Sequence, residues 1–307
     1  MQFAVQIPVD KVHLGDVFTS AHGIVECATH VESAGFNACF VTDHPVPEDK
    51  WLATGGHHSF DPFVALTLAA SCTRTLKLMT NIIVLPYRNP FLVAKSAASL
   101  DIISNGRLIL GTGAGYLEGE FKALGVQVEQ RGQRMEEAYQ AMKLAWTGES
   151  FTYHGKEFEA AGNTALPRPL QKPHPPIWIG GNSKAAMRRA AQYCDGWLPM
   201  PVPKKLAGRL KTQSLSDMEA LQESVNNIRQ MESQFDRIEP LDICMIPFGM
   251  DMRSELEWNS QDLIEQIQQM QMMGVTWINV TLPCESKQLY RNAVSWFAEE
   301  VISKVQC

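Results

Sequence analysis

Residues 175–197 read PPIWIGGNSKAAMRRAAQYCDGW. Ile177, Trp178 and Ile179 form a short apolar run, as in a strand covered on both faces. Gly180 and Gly181 follow, where the chain turns tightly or approaches another group closely. Asn182 or Ser183 can cap the next helix, because a side-chain oxygen there accepts from an unpaired backbone N–H. The free N–H groups and the helix dipole at that end together suit a phosphate. Gly196 and Trp197 open another strand. Strand, glycine turn, helix, strand is the repeating unit of α/β proteins, so this pattern alone favours plain packing over a phosphate site.

Moving outward, the same unit recurs. Strand patterns fall at Phe3–Ile7, Ala38–Val41, Leu76–Val84, Arg107–Thr112, Ile177–Ile179, Gly196–Leu198, Leu241–Phe248 and Trp277–Leu282. Helical patterns lie between them. One starts at Asp61-Pro62, an N-cap followed by proline in the first turn, and another opens at Pro90. A long polar helix is expected over Lys204–Phe235. Eight strands alternating with helices predict a parallel (β/α)8 TIM barrel. The chain, 1–307, reads as a single domain with an insertion at 147–176 before strand five. In that insertion FTYHGKEFEA, residues 151–160, predicts a hairpin, and Pro167, Pro169, Pro173, Pro175 and Pro176 make a stiff connector.

The composition is globular: 307 residues, 45% hydrophobic and 20% charged. A net charge of −6 without a Lys/Arg run argues against nucleic acid. No signal-peptide pattern or membrane-spanning apolar run is visible. The seven cysteines include no C-x-x-C pair, which implies a reducing, cytoplasmic setting. Adjacent His57-His58 is weak as a metal motif, and no metal site is expected.

A barrel of this kind places its chemistry at the C-terminal strand ends. Those ends carry Gln6, Pro8 and Asp10; Asp43-His44; Thr80-Asn81-Ile82; Gly113 and Gly115; and Gly180-Gly181-Asn182-Ser183. Asp43 and His44 could serve as acid and base or bond a cofactor ring; equally, they could be a capping acid and a satisfied histidine. GTGAG at 111–115 is no dinucleotide fingerprint, because its third glycine comes one residue early. Lys77 and Lys95 are misplaced for a Schiff base, since neither ends a strand.

The ordered set VTDH (41–44), TNIIVLPYRNP (80–90), LVAKSAASLDIISNGRLILGTGAGY (92–116), Glu120-Phe121, RGQRMEE (131–137), PHPPIWIGG (173–181) and RRAAQYCDGW (188–197) resembles the bacterial luciferase-like superfamily of flavin- and deazaflavin-dependent oxidoreductases. The resemblance runs nearly end to end and is nearest the branch labelled F420-dependent. It implies reduced coenzyme F420 or FMN across the strand ends, for hydride transfer or monooxygenation of a small organic substrate. It further implies a non-prolyl cis peptide at Asn81-Ile82, His44 as proton donor or ring partner with Asp43 as its orienter, and Gly180–Ser183 around a phosphate. Thr80, Gly113 and Gly115 would be further cofactor contacts. Lys184, Arg188, Arg189, Lys204, Lys205 and Arg209 are candidates for the acidic F420 tail. Rim loops 45–58, 116–130 and 199–211, with Trp51, Phe60, Tyr116 and Met200, suggest an apolar substrate. A homodimer is expected, and the alternative is a cofactor-free barrel partnering an active homologue.

Overall fold

The computed structural model describes residues 1–208, 212–250 and 258–305. Arg209, a candidate for the F420 tail, and Cys307, one of the seven cysteines, lie outside the described residues.

Eight parallel strands close into a barrel: β1 Gln2–Gln6, β2 Ala38–Val41, β3 Lys77–Thr80, β4 Leu108–Gly113, β5 Ile177–Gly180, β6 Gly196–Leu198, β7 Asp242–Met245 and β8 Trp277–Val280. Each strand pairs with the next, and β8 pairs back onto β1. Helices follow the strands, which makes this a (β/α)8 barrel. The predicted helix starts are seen: Asp61 accepts from the N–H groups of Phe63 and Val64, and Asn89 from Phe91, with Pro62 and Pro90 in the first turns.

Two elements differ from expectation. Strand three stops at Thr80, and a separate two-residue piece, Ile83–Val84, continues beside β4. The peptide between them, Asn81–Ile82, is cis, as the resemblance implied. The helix expected over 204–235 is two helices, Lys204–Ala207 and Met218–Gln234. Between them Leu215 is buried and pairs antiparallel with Val202, and Asp217 caps the second helix by accepting from Ala220 N–H at 2.9 Å. An apolar side chain seeking the core and a fresh N-cap outweigh helical continuity.

The strand period of two sorts residues between two cores. Val5, Cys39, Leu78, Leu110, Ile179 and Ile278 face the surrounding helices. Ala4, Phe40, Met79, Ile109, Trp178, Leu198, Cys244 and Trp277 fill the barrel, with Trp178 and Trp277 edge-to-face at 5.4 Å. Further up the inward register, β1, β3, β4, β5 and β8 lead to Gln6, Asn81, Gly113, Gly180 and Asn279, one step above the filled layer except Gly113, which is two. These line a cavity of about 600 Å³ at the C-terminal end. The filled interior is its floor.

The opposite end is clamped. Arg107 donates to the carbonyls of Ser104, Leu76, Ala70 and Thr73 and to the Thr73 hydroxyl. Fully buried Asp101 accepts from the N–H groups of Leu170 and Gln171, tying down the proline-rich connector. The hairpin before it is Phe151–His154 with Glu159–Asn163. No helix of the described residues is long and apolar enough to cross a membrane.

Candidate active site

The cavity gathers Asp43, His44, Asn81, Ile82, Gly113, Gly115, Gly180, Gly181 and Ser183. At one side, β5 runs through Gly180-Gly181 into the helix Lys184–Tyr193. Gly181 has φ +114°, a backbone conformation that side chains disfavour. Ser183 caps the helix by accepting from Ala186 N–H, and Ala185, Ala186 and Arg189 line the cavity beside the first turn. A helix N-terminus that faces a cavity can take an anion, and the Arg189 guanidinium beside it also donates to Glu136 at 3.0 Å. The floor beside it is shaped by Ile82, because a Cβ on Gly113 would stand 2.6 Å from its Cδ1. Glycine at 113 leaves that branched side chain room at the cavity floor.

Thr80 and Asn182 do not line the cavity. Thr80 has the outward register of Leu78, and its hydroxyl donates to Gly111 O at 2.7 Å. Asn182 is buried and braces the glycine turn instead: its Nδ2 donates to Met200 O and Gln213 O, and its Oδ1 accepts from Met200 N–H. Of the two proposed caps, Ser183 takes the role.

His44 is oriented differently from the sequence expectation. Asp43 lies next to it in the chain but turns away, accepting from Arg88 Nη2 and from Val84 N–H, each at 3.0 Å. Burial pushes the Asp43 carboxyl up, against the pull of Arg88. The carboxylate facing His44 is Glu120, whose Oε2 lies 3.5 Å from Nδ1. Glu120 is fully buried and accepts from Tyr87 OH at 3.0 Å and from Val46 N–H at 3.3 Å. Burial, and then the Glu120 charge, push the Tyr87 phenol well up, so it stays a proton donor. On the outer side His44 packs on Trp51 at 4.4 Å and on His57 at 4.9 Å. Burial, and then His44, bring His57 down to about 4, so it is neutral at physiological pH; its Nε2 bonds the Thr42 hydroxyl. Among the described residues no group of His, Cys, Asp and Glu is arranged to hold a metal.

Sequence reasoning missed Glu120 as a site residue, along with Arg88, Asn279 and Thr281. Asn279 and Thr281 could have been found by applying the strand-end rule to strand eight. Glu120 carried only its place in the Glu120-Phe121 pair, one turn into a six-residue helix.

A filled parallel barrel with a cavity at its C-terminal end, reached by His44 and the Gly180-Gly181 turn, is where (β/α)8 enzymes carry their sites. The luciferase-like monooxygenase family matches residues 1–238, and the chain belongs to that family. Over 148 residues it is 33% identical to the FMNH(2)-dependent dimethylsulfone monooxygenase of Pseudomonas putida, covering 46% of this chain and 40% of that one. Among solved structures, monooxygenase RslO1 from Streptomyces bottropensis superposes with TM-score 0.81 at 20% identity, covering 99% of each chain. The coenzyme F420 dependent tetrahydromethanopterin reductase from Methanopyrus kandleri superposes with TM-score 0.74 at 17% identity, again over 99% of each. These two likenesses are of fold.

Proposed function

We propose that the protein binds reduced FMN across the ends of β2 to β5 and oxygenates a small, largely apolar organic substrate. The observation that carries this reading is the cradle at Gly180–Ser183 and Arg189, opening onto the same cavity as His44. The FMN phosphate would sit in the cradle, and the ring would lie over Asn81-Ile82 and Gly113. When bound, reduced FMN supplies the electrons that activate O2. The chain's part is to exclude water, orient the ring and hold a proton on His44, with Glu120 holding that imidazole.

FMN is favoured over F420 by the likeness to an FMNH(2)-dependent monooxygenase at 33% identity. Arg188 and Arg189 both donate to Glu136, at 2.8 and 3.0 Å, and Glu129 adds negative charge at the mouth. Arg131 lines the same mouth and donates to Val128 O, so the rim carries both signs of charge and does not by itself choose between the two cofactors. The cavity, open rather than filled by side chains, also speaks against the cofactor-free partner reading. Anaerobic fluorescence titration of the purified protein with FMN and, separately, F420 tests this. Micromolar FMN binding with weaker F420 binding is expected; the reverse would make it a hydride-transfer enzyme, and no binding of either would sink the reading.

The protein is further proposed to be a cytoplasmic homodimer. Buried, unpaired Cys27, Cys39, Cys194, Cys244 and Cys284 suit a reducing compartment. Val64, Leu92 and Ile103 are 61%, 69% and 56% exposed on the neighbouring helices Pro62–Cys72 and Pro90–Ile103, an apolar face that a second copy would cover. Leu92→Glu should shift sedimentation from dimer to monomer, and a monomeric wild type would refute the assembly.

A further inference from the structure

The residues assigned to the cofactor come from β2 to β5. The opposite side of the cavity, built by β8 and β1, is left unused by that assignment. It carries Asn279, Thr281, Gln6 and Asp10, and all four line the cavity. Asn279 and Gln6 are each 4% exposed and Asp10 is 8% exposed. Three of them form a directed chain. Thr281 Oγ1 donates to Gln6 Oε1 at 2.8 Å, and Gln6 Nε2 donates to Asp10 Oδ1 at 3.0 Å. The Thr281 proton is therefore committed, and toward the cavity its oxygen can only accept. Asn279 stands one inward step above Trp277, which packs the layer beneath. Its Oδ1 has no partner among the described residues. Folded proteins rarely leave a buried amide oxygen unpaired, and in a residue that lines a cavity a ligand's donor can supply the missing bond once the side chain turns to meet it.

We propose that Asn279, Thr281 and Asp10 form a substrate subsite for a neutral hydrogen-bond donor, a hydroxyl or amide N–H, on an otherwise apolar small molecule. The proposal rests on the reading that the cofactor occupies the other half of the barrel end. Three of the four polar groups are uncharged, and burial raises the Asp10 carboxyl, so the subsite does not call for a cation. Lys11 and His13 lie close enough to Asp10 to act on its charge, which further disfavours an ammonium group. The rest of the cavity wall contributes Phe40, Leu198, Met200 and Ile246, which suit an apolar body.

The test is equilibrium titration of the FMN-loaded protein with three probes of similar shape: benzyl alcohol, which donates; benzaldehyde, which only accepts; and toluene, which does neither. Flavin absorbance and tryptophan fluorescence report binding. Benzyl alcohol should bind at least about 10-fold tighter than the other two, because losing one partner of a buried hydrogen bond has about that effect. Asn279→Leu should reduce the preference to about 2-fold while FMN affinity stays the same, and Thr281→Val should reduce it part of the way. Equal affinities in the wild type, a preference that survives both substitutions, or no saturable binding of benzyl alcohol would each overturn the subsite. If FMN does not bind, yet the unloaded protein keeps the preference and loses it in Asn279→Leu, the cofactor reading fails and the subsite stands.

Discussion

The two ends of the barrel treat polar groups in opposite ways. At the N-terminal end Arg107 spends its guanidinium on four carbonyls and a hydroxyl, and Asp101 accepts from two backbone N–H groups and the Gln171 side chain. At the C-terminal end buried His44 Nδ1 has no hydrogen bond closer than its 3.5 Å approach to Glu120, and Asn279 Oδ1 has none. The first arrangement gains stability by closing every bond within the chain. The second keeps bonding capacity for a ligand, at some cost to stability. The same eight strands thus carry a clamp at one end and a site at the other.

The contrast breaks most visibly at His44. His44→Ala should lower turnover by about 10²- to 10⁴-fold, the usual contribution of a positioned proton donor, with FMN affinity within a few-fold. Steady-state kinetics beside a flavin titration would check this, and unchanged turnover would remove His44 from the chemistry. Arg107→Ala should do the converse. It strands several buried carbonyls and should cost about 2–4 kcal/mol. Calorimetry should show Tm falling by roughly 2–4 °C per kcal/mol, with FMN affinity of the folded fraction unaltered. If flavin binding fell with stability at ordinary temperature, the two ends would not be separable.

Smaller effects sharpen the picture. Glu120→Gln keeps the size of the side chain and removes the negative charge facing His44. Turnover should fall about 10-fold in steady-state kinetics, whereas Asp43→Asn should leave it within a few-fold. Equal losses in both variants would contradict the assignment of Glu120 as the positioning residue. His57 provides the pH test of stability. Its folded value of about 4 lies below the ordinary 6.5. Between those values the unfolded chain takes up a proton that the folded chain refuses, so stability is full above pH 6.5 and declines as pH falls toward 4. Discounted for partial exposure, the loss is about 1–2 kcal/mol. His57→Gln should flatten that limb in urea titrations at successive pH values.

Much of the site was legible because strand-end residues are local facts. Gly180-Gly181 ahead of a capped helix, Asn81-Ile82 and Asp43-His44 could all be located by counting strands. The errors share one cause, the assumption that neighbours in the chain are neighbours in the site. Asp43 adjoins His44 in sequence, yet successive residues of extended chain face opposite ways, and Asp43 finds Arg88, 45 positions away. Asn182 looked like a phosphate ligand because it follows two glycines, but its amide satisfies the loop at Met200 and Gln213. Thr80 ends a strand on the register that faces the helices.

By itself the sequence determined the barrel, the positions of its strand ends, the proline and glycine punctuation of its helices, and the family, because each is written in local period, capping chemistry or ordered motifs. Only the tertiary structure decided which carboxylate faces His44, that Asn279 Oδ1 has no partner among the described residues, and that Gln6 links Thr281 to Asp10. Glu120 stands 76 positions from His44, and Thr281 stands 275 from Gln6. Barrel closure brings β8 against β1, and no local pattern encodes which long-range partner satisfies a buried polar atom.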